Sequence, residues 1–417
     1  MRMRAVVIAI VLIALVSSQN ISAQSPGTIV DLSTLGGTRT IPVGINDFGE
    51  VVGSSSLAGD TTQHAFLWSE GAAMVDLGVL PGHISSQARA VNNHHQVVGL
   101  STPPGFLGFF NSRAFVWENG VMTDLNTSAT AAAGWLLGAA LGINDAGQIV
   151  GYGFRNGTLT QHAFLLENGV VTDLGTLGGP NAVATAINES GQIAGLAGAP
   201  DGLSHAVTWT NGVITDLGGQ AGTIFNVANA LNDSGESAGS WASASGSIPL
   251  FWNAAGTPTL LPMLDPAATA FAINNLQQIA GAGLGTGGTV QRAVLWQADA
   301  AIDLETLVPA GHDLTAAYGI NNAGQVVGGT AAGRGFLVQL PVPPSATGAL
   351  IESLVGDAGV SASLLAKING AAGSPVAECN ALRAMANEIR AQEGKKISTD
   401  IAAELLANIA AASSACH

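Results

Sequence analysis

Residues 141–151 read LGINDAGQIVG, and close copies of that phrase occur six more times in the 417-residue chain. The other copies are VGINDFGEVVG, RAVNNHHQVVG, TAINESGQIAG, NALNDSGESAG, FAINNLQQIAG and YGINNAGQVVG. Their anchoring asparagines are Asn46, Asn92, Asn144, Asn188, Asn232, Asn274 and Asn321, spaced 42 to 52 residues apart. A period of that size suits one four-stranded propeller blade per repeat.

Working outward from the phrase, each unit reads as four strands. The first ends at the Asn, and the Asn-x-x-Gly stretch makes a turn in which Gly takes the left-handed position. The second is the QIVG-like segment. The third is HAFLW or a relative, at 64–68, 113–117, 162–166, 205–209, 248–252, 292–296 and 334–338. Asn119-Gly120, Asn168-Gly169 and Asn211-Gly212 then give the strongest short hairpin signal. The fourth strand ends in Asp-Leu. Gly44, Ala90, Gly142, Ala186, Ala230, Ala272 and Gly319 stand two before the Asn. Gly53, Gly99, Gly151, Gly195, Gly239, Gly281 and Gly328 stand seven after it. Glycine weakens a strand, so a repeated one marks close backbone approach, here read as crowding near an axis. The expected fold is all-β, a seven-bladed propeller. The seventh unit lacks its Asp-Leu strand, and the lone segment Ile29-Val30-Asp31-Leu32 is expected to supply it and close the ring. A linear solenoid of the same period is the alternative.

The third strand opens with His64, Arg113, His162, His205, Arg292 or Arg334, and an Asp follows 11 or 12 residues later in the first five. Hairpin register brings the cation diagonally opposite that Asp on one face. The expected pairs are His64–Asp76, Arg113–Asp124, His162–Asp173, His205–Asp216 and Arg292–Asp303, with Arg334 meeting Asp31 across the closure. The fifth unit loses both partners together, with Ile248 and Leu260-Leu261 in their places. A lone buried charge is costly, so joint loss is what a physical pair predicts. One pair per blade reads as a strut and not as a converging metal or catalytic set. Trp68, Trp117, Trp209, Trp252 and Trp296 likewise read as repeated core packing.

Arg2 and Arg4 precede an apolar run at 5–16, so residues 1–23 read as a secretory signal peptide. The run is too short to span a bilayer. The expected location is extracellular or periplasmic, with no membrane span in the mature chain. The net charge of −15, and the confinement of all lysines to positions beyond 340, argue against nucleic acid. Cys379 and Cys416 are read as a disulfide, as befits an exported chain. No cofactor or metal is expected.

The His-Ala-Phe strand, the Asp-Leu-Gly turn and the Ile-Asn…Gly-Gln-Val-Val-Gly phrase resemble the HAF-repeat family of secreted bacterial proteins over residues of about 28–340. That resemblance implies export and repeats, and it carries over no catalytic residues. The expected organisation is signal peptide 1–23, propeller 24–340, linker 341–347 and a helical module 348–417. Helical patterns run through 348–355, 361–368, 377–392 and 398–412. The segment AECNALRAMANEIRAQEGKKISTDIAAELLANI is similar to the FIMAH domain, a small helical module of secreted bacterial proteins; Ala384-Met385-Ala386-Asn387 departs from its aromatic-bearing phrase.

Short turns fall on one face of such a ring, and the loops that vary in length fall on the other, where function concentrates. Those loops carry Phe106, Phe109, Phe110, Trp135, Tyr152, Phe154 and Trp241, aromatics suited to stacking on sugars. Their acidic candidates, Asp60, Asp201, Asp265 and Asp313, form no recognisable spacing with His83 or His312, and His94-His95 lacks nearby ligands. The chain is therefore expected to be a non-catalytic scaffold that binds a glycan on its variable loops. A protein partner or an envelope structural role is the alternative, and a propeller-type hydrolase or lyase the third.

Overall fold

The computed structural model describes residues 27–340, apart from 106–110, 220–222, 224, 244–245 and 285–290. It also describes a helix, Pro375–Gln392, and isolated positions near it. The proposed signal peptide lies outside the described residues. So do the linker, most of the other three helical patterns, Cys416 and the side chain of Cys379. The third pattern, 377–392, falls within the helix. No helix among the described residues is long and apolar enough to cross a membrane.

The chain forms seven four-stranded antiparallel sheets, a seven-bladed β-propeller. Blade 3 shows the pattern, with strands Trp135–Ile143, Ile149–Arg155, Gln161–Glu167 and Val170–Asp173 in spatial order. Blades 1 to 6 occupy 36–78, 85–124, 135–173, 182–216, 225–260 and 267–303. Blade 7 takes three strands from 314–339, and Thr28–Asp31 lies antiparallel against Gly335–Gln339 as its fourth.

The local chemistry explains the turns. Asn119-Gly120, Asn168-Gly169 and Asn211-Gly212 hold positive φ at both positions, the backbone of a type I′ hairpin turn. The turn after the anchoring Asn needs a left-handed residue. Gly147 supplies it in blade 3, and where glycine is missing His95 and Gln277 adopt the same conformation.

Cores lie between blades, not within them. Val52, Ala65 and Leu67 of blade 1 pack on Ala88, Val97 and Phe115 of blade 2. Leu32, Phe66 and Trp68 meet Val327 and Leu337 where blade 7 meets blade 1. The Phe of the HAF strand is the centrepiece: Phe66, Phe115, Phe164 and Phe336 are fully buried, each contributing about 1.5–3 kcal/mol by burial. Trp68 is buried beside Phe66, and Trp209, Trp252 and Trp296 are buried in the cores that blades 4, 5 and 6 form with their neighbours.

The seven strand glycines have a different cause from axial crowding. Each first strand holds a bulge, its extra residue being Val43, Arg89, Leu141, Thr185, Asn229, Phe271 or Tyr318. A bulge pushes the backbone of its strand out of plane. Two residues before each bulge residue, a carbonyl oxygen occupies the place where a Cβ on the opposing strand would sit. Ile41 crowds Gly53 in this way, Ala139 crowds Gly151 and Ala316 crowds Gly328. The close approach lies inside one blade. The small residues two before the Asn do face the next blade: a Cβ on Gly44 would stand 2.9 Å from the Arg89 carbonyl oxygen.

Candidate functional site

Three places on the ring concentrate polar or aromatic chemistry. On the turn face, the seven anchoring asparagines form a closed circuit. Each Nδ2 donates to the carbonyl of the equivalent Asn in the next blade, at 2.9–3.3 Å, and Asn321 donates to Asn46 to complete it. In blade 3 the Asn144 side chain also bonds Gln148, donating to its Oε1 and accepting from its N–H. A carboxamide supplies the two donors and the acceptor that this site uses.

The next residues, Asp47, Asn93, Asp145, Glu189, Asp233, Asn275 and Asn322, make a second circuit. Each side-chain oxygen accepts the backbone N–H of its counterpart in the preceding blade, at 2.7–3.3 Å. The two circuits surround a small axial mouth of about 180 Å³. Four carboxylates converge there. Burial, reinforced by Asp145, pushes Glu189 up to about 7, and burial also raises Asp47. Among the described residues, no group of three or more His, Cys, Asp or Glu side chains is placed to hold a metal ion.

The cation–aspartate contacts follow the third and fourth strands. His64 Nδ1 lies 2.9 Å from Asp76, Arg113 2.8 Å from Asp124, His162 3.0 Å from Asp173 and Arg292 2.9 Å from Asp303. Arg334 reaches Asp31 at 3.0 Å. His205 is held at both nitrogens, 3.0 Å from Asp216 through Nδ1 and 3.0 Å from Asp201 through Nε2. Both nitrogens facing carboxylates requires both to donate, and its pKa is raised: the Asp216 and Asp201 bonds outweigh desolvation, the largest opposing cause. These pairs stand one to a blade in six of the seven blades, with none in the fifth, apart from each other.

The variable face carries the third place, a cleft of about 380 Å³ between blades 2 and 3. That size lies within the range of small-molecule sites. The loop entering blade 3 forms one wall. There Thr127 caps a short helix, Ser128–Ala132, and Asn126 grips both backbone groups of Leu137. The loop after the blade's second strand forms the other: the Asn156 N–H donates to the Gly134 carbonyl at 2.8 Å. Trp135 and Phe154 back the cleft, Asn111, Asn156 and Thr158 rim it, and Leu159, 76% exposed, forms its lip.

The sequence expected exposed aromatics here, and the structure corrects that for three of them. Trp135, Tyr152 and Phe154 are 5–6% exposed and packed together. Trp135 meets Phe164 edge-on at 6.3 Å, Arg155 lies 5.2 Å over its ring, and Tyr152 meets Phe154 at 6.1 Å. All three stand on strands of blade 3 and turn into the packing against blade 2: Tyr152 and Phe154 share an apolar cluster with Leu100 and Leu136, and Trp135 joins the neighbouring core with Phe164 and Leu125. Trp241 is half-buried in blade 5, away from this cleft. Phe106, Phe109 and Phe110 lie outside the described residues. The loop acids hold structure: Asp60 accepts from the Thr38 N–H and Asp265 pairs with Arg292 at 3.0 Å. Sequence reasoning missed the axial mouth, though an Asp, Asn or Glu after every anchoring Asn was its visible signal.

No known family profile matches the chain, and no curated protein matches it. Solved structures do. A streptogramin B lyase is 12% identical with a TM-score of 0.47, covering 76% of this chain and 99% of the lyase. An oligogalacturonate lyase from Vibrio parahaemolyticus is 9% identical with a TM-score of 0.46, covering 76% and 99%. The β-propeller domain of the trilobed protease from Pyrococcus furiosus is 10% identical with a TM-score of 0.39, covering 64% and 84%.

Proposed function

We propose that this chain is a secreted, non-catalytic binding scaffold that takes a glycan on the variable-loop face of its propeller, outside the cell or in the periplasm. In this reading Thr28–Asp31 is the clasp that closes the ring, and the C-terminal segment is a helical module appended to it. The observation that carries the ligand class is the cleft between blades 2 and 3. Its back is aromatic, its rim offers neutral amide and hydroxyl groups, and both walls are fixed by backbone hydrogen bonds. Such a combination suits a sugar, which presents an apolar ring face and a belt of hydroxyls. The His–Asp pairs support the non-catalytic part, since each is committed to its own blade.

A protein partner is the second reading. Ile84, Leu159, Met263 and Leu264 in loops of this same face, and Phe225 at the start of a strand beside them, are exposed apolar residues. The deciding experiment is a binding screen of the protein against soluble polysaccharides, insoluble polysaccharides and peptidoglycan, with Asn111→Ala, Leu159→Ala and Trp135→Ala variants alongside. Saturable binding weakened by the rim variants supports the cleft. Absence of binding to every glycan, or binding that all three variants keep, removes it.

A further inference from the structure

The bulge residues of the seven first strands occupy one tier around the axis. A first strand bonds its blade through one edge only, and the neighbouring blades cover its faces. Half-exposed side chains on that tier therefore take their exposure from the central channel. Their contacts run around it. Thr185 Oγ1 donates to the Ala228 carbonyl of blade 5, Asn229 Nδ2 donates to the Ala270 carbonyl of blade 6 at 2.8 Å, and the Phe271 and Tyr318 rings lie 5.5 Å apart.

Arg89 is the one cation on this tier. Its guanidinium donates to Gln87 Oε1 at 3.1 Å and pairs with no carboxylate among the described residues. Its surface is open to solvent, yet it is desolvated enough to lower its pKa. Both hold together for a side chain projecting into a narrow channel. The arginines that open third strands, Arg113, Arg292 and Arg334, by contrast each have an Asp. The axial carboxylates come four positions later in sequence, in the turns beyond the ends of the first strands.

We propose that the central channel is a second binding site, for a small carboxylate that carries a ring. Arg89 pairs with the carboxylate, for which its planar fork is suited. In a seven-membered ring, blade 2 faces blades 5 and 6 across the axis. Phe271, with Tyr318 beside it, offers the ring an apolar surface, and Asn229 and Thr185 lie next to them. The four carboxylates at the turn-face mouth repel an anion, so the ligand enters from the variable-loop face. This site is separate from the cleft between blades 2 and 3.

The test is calorimetric titration of the full chain with glucuronate, benzoate, glucose and sulfate. Glucuronate or benzoate is expected to bind while glucose does not, the first arm reporting a sugar ring and the second an aromatic one. Arg89→Gln should weaken that binding at least ~10-fold, as loss of a charge-assisted bond does. Phe271→Leu should weaken it independently, which keeps the test valid should Arg89→Gln unfold the chain. Trp135→Ala should leave it unchanged, so failure of the cleft reading and failure of this one are distinguishable. Binding of neither carboxylate, binding of sulfate alone, or affinity that survives both channel variants overturns the proposal.

Discussion

Replacing Asn144 by alanine removes one link of the axial circuit, and its cost can be worked from the structure. Asn144 is fully buried. Its amide donates to the Asn188 carbonyl at 3.1 Å and to Gln148 Oε1 at 2.7 Å, and its oxygen accepts from the Gln148 N–H at 3.0 Å. Truncation leaves three partners without their bonds. At a net ~1 kcal/mol per bond the loss is about 3 kcal/mol. For a domain of this size that lowers the melting temperature by roughly 5 °C. Differential scanning calorimetry and urea unfolding measure it directly. Asn144→Asp sharpens the comparison: it keeps the acceptor, loses both donors and adds a charge beside Asp145. It should be at least as destabilising as Asn144→Ala. A melting point within 1 °C of wild type for both variants would refute the claim that the circuit binds blades together.

Three further outcomes follow from other sites. Glu189 has its pKa raised, so its protonated form is favoured by folding; stability is highest below its unfolded value near 4.5 and declines as pH rises to about 7. Glu189→Gln should flatten that part of the melting profile, and an unchanged slope would count against convergence of the axial carboxylates. Gly151→Ala forces a Cβ onto the Ala139 carbonyl, whereas Gly169→Ala meets nothing within 4 Å and costs only ~1 kcal/mol for its left-handed backbone. Urea midpoints should therefore drop more for Gly151→Ala, and the reverse order would remove the bulge explanation. His205 should titrate above 6.5 by NMR, with Asp201→Asn lowering its pKa; an unchanged value would mean that Asp201 does not hold it.

Much of this architecture could be read from the repeats, because each repeat obeys the same local rules. The hairpin register that sets Phe164 opposite Asp173 follows from Asn168-Gly169 alone, since a two-residue turn fixes the pairing. The seven strand glycines were visible, but their reason was not: the bulge that crowds Gly151 arises from how the first strand bends, and no residue type announces it. The axial circuits needed the ring itself, since Asn46 and Asn321 are 275 positions apart. At the cleft, aromatic residues in long loops look exposed in sequence. Burial of Trp135 and Phe154 depends on tertiary contacts with Arg155, Phe164 and Tyr152 that spacing does not encode.

The junction between blades 7 and 1 is made by the same two side-chain links as the other six, Asn321 to Asn46 and Asn322 to Asp47. A Cβ built on Gly27 would stand 2.6 Å from the Gln339 carbonyl, so the two ends of the propeller lie side by side. Mechanically, then, the ring has seven equivalent places to be opened. Joining 340 to 27 through a few glycines and cutting instead at an exposed turn such as Asn211-Gly212 should give a circular permutant that assembles from rearranged repeats, because the order in which blades are translated does not enter the contacts that hold them.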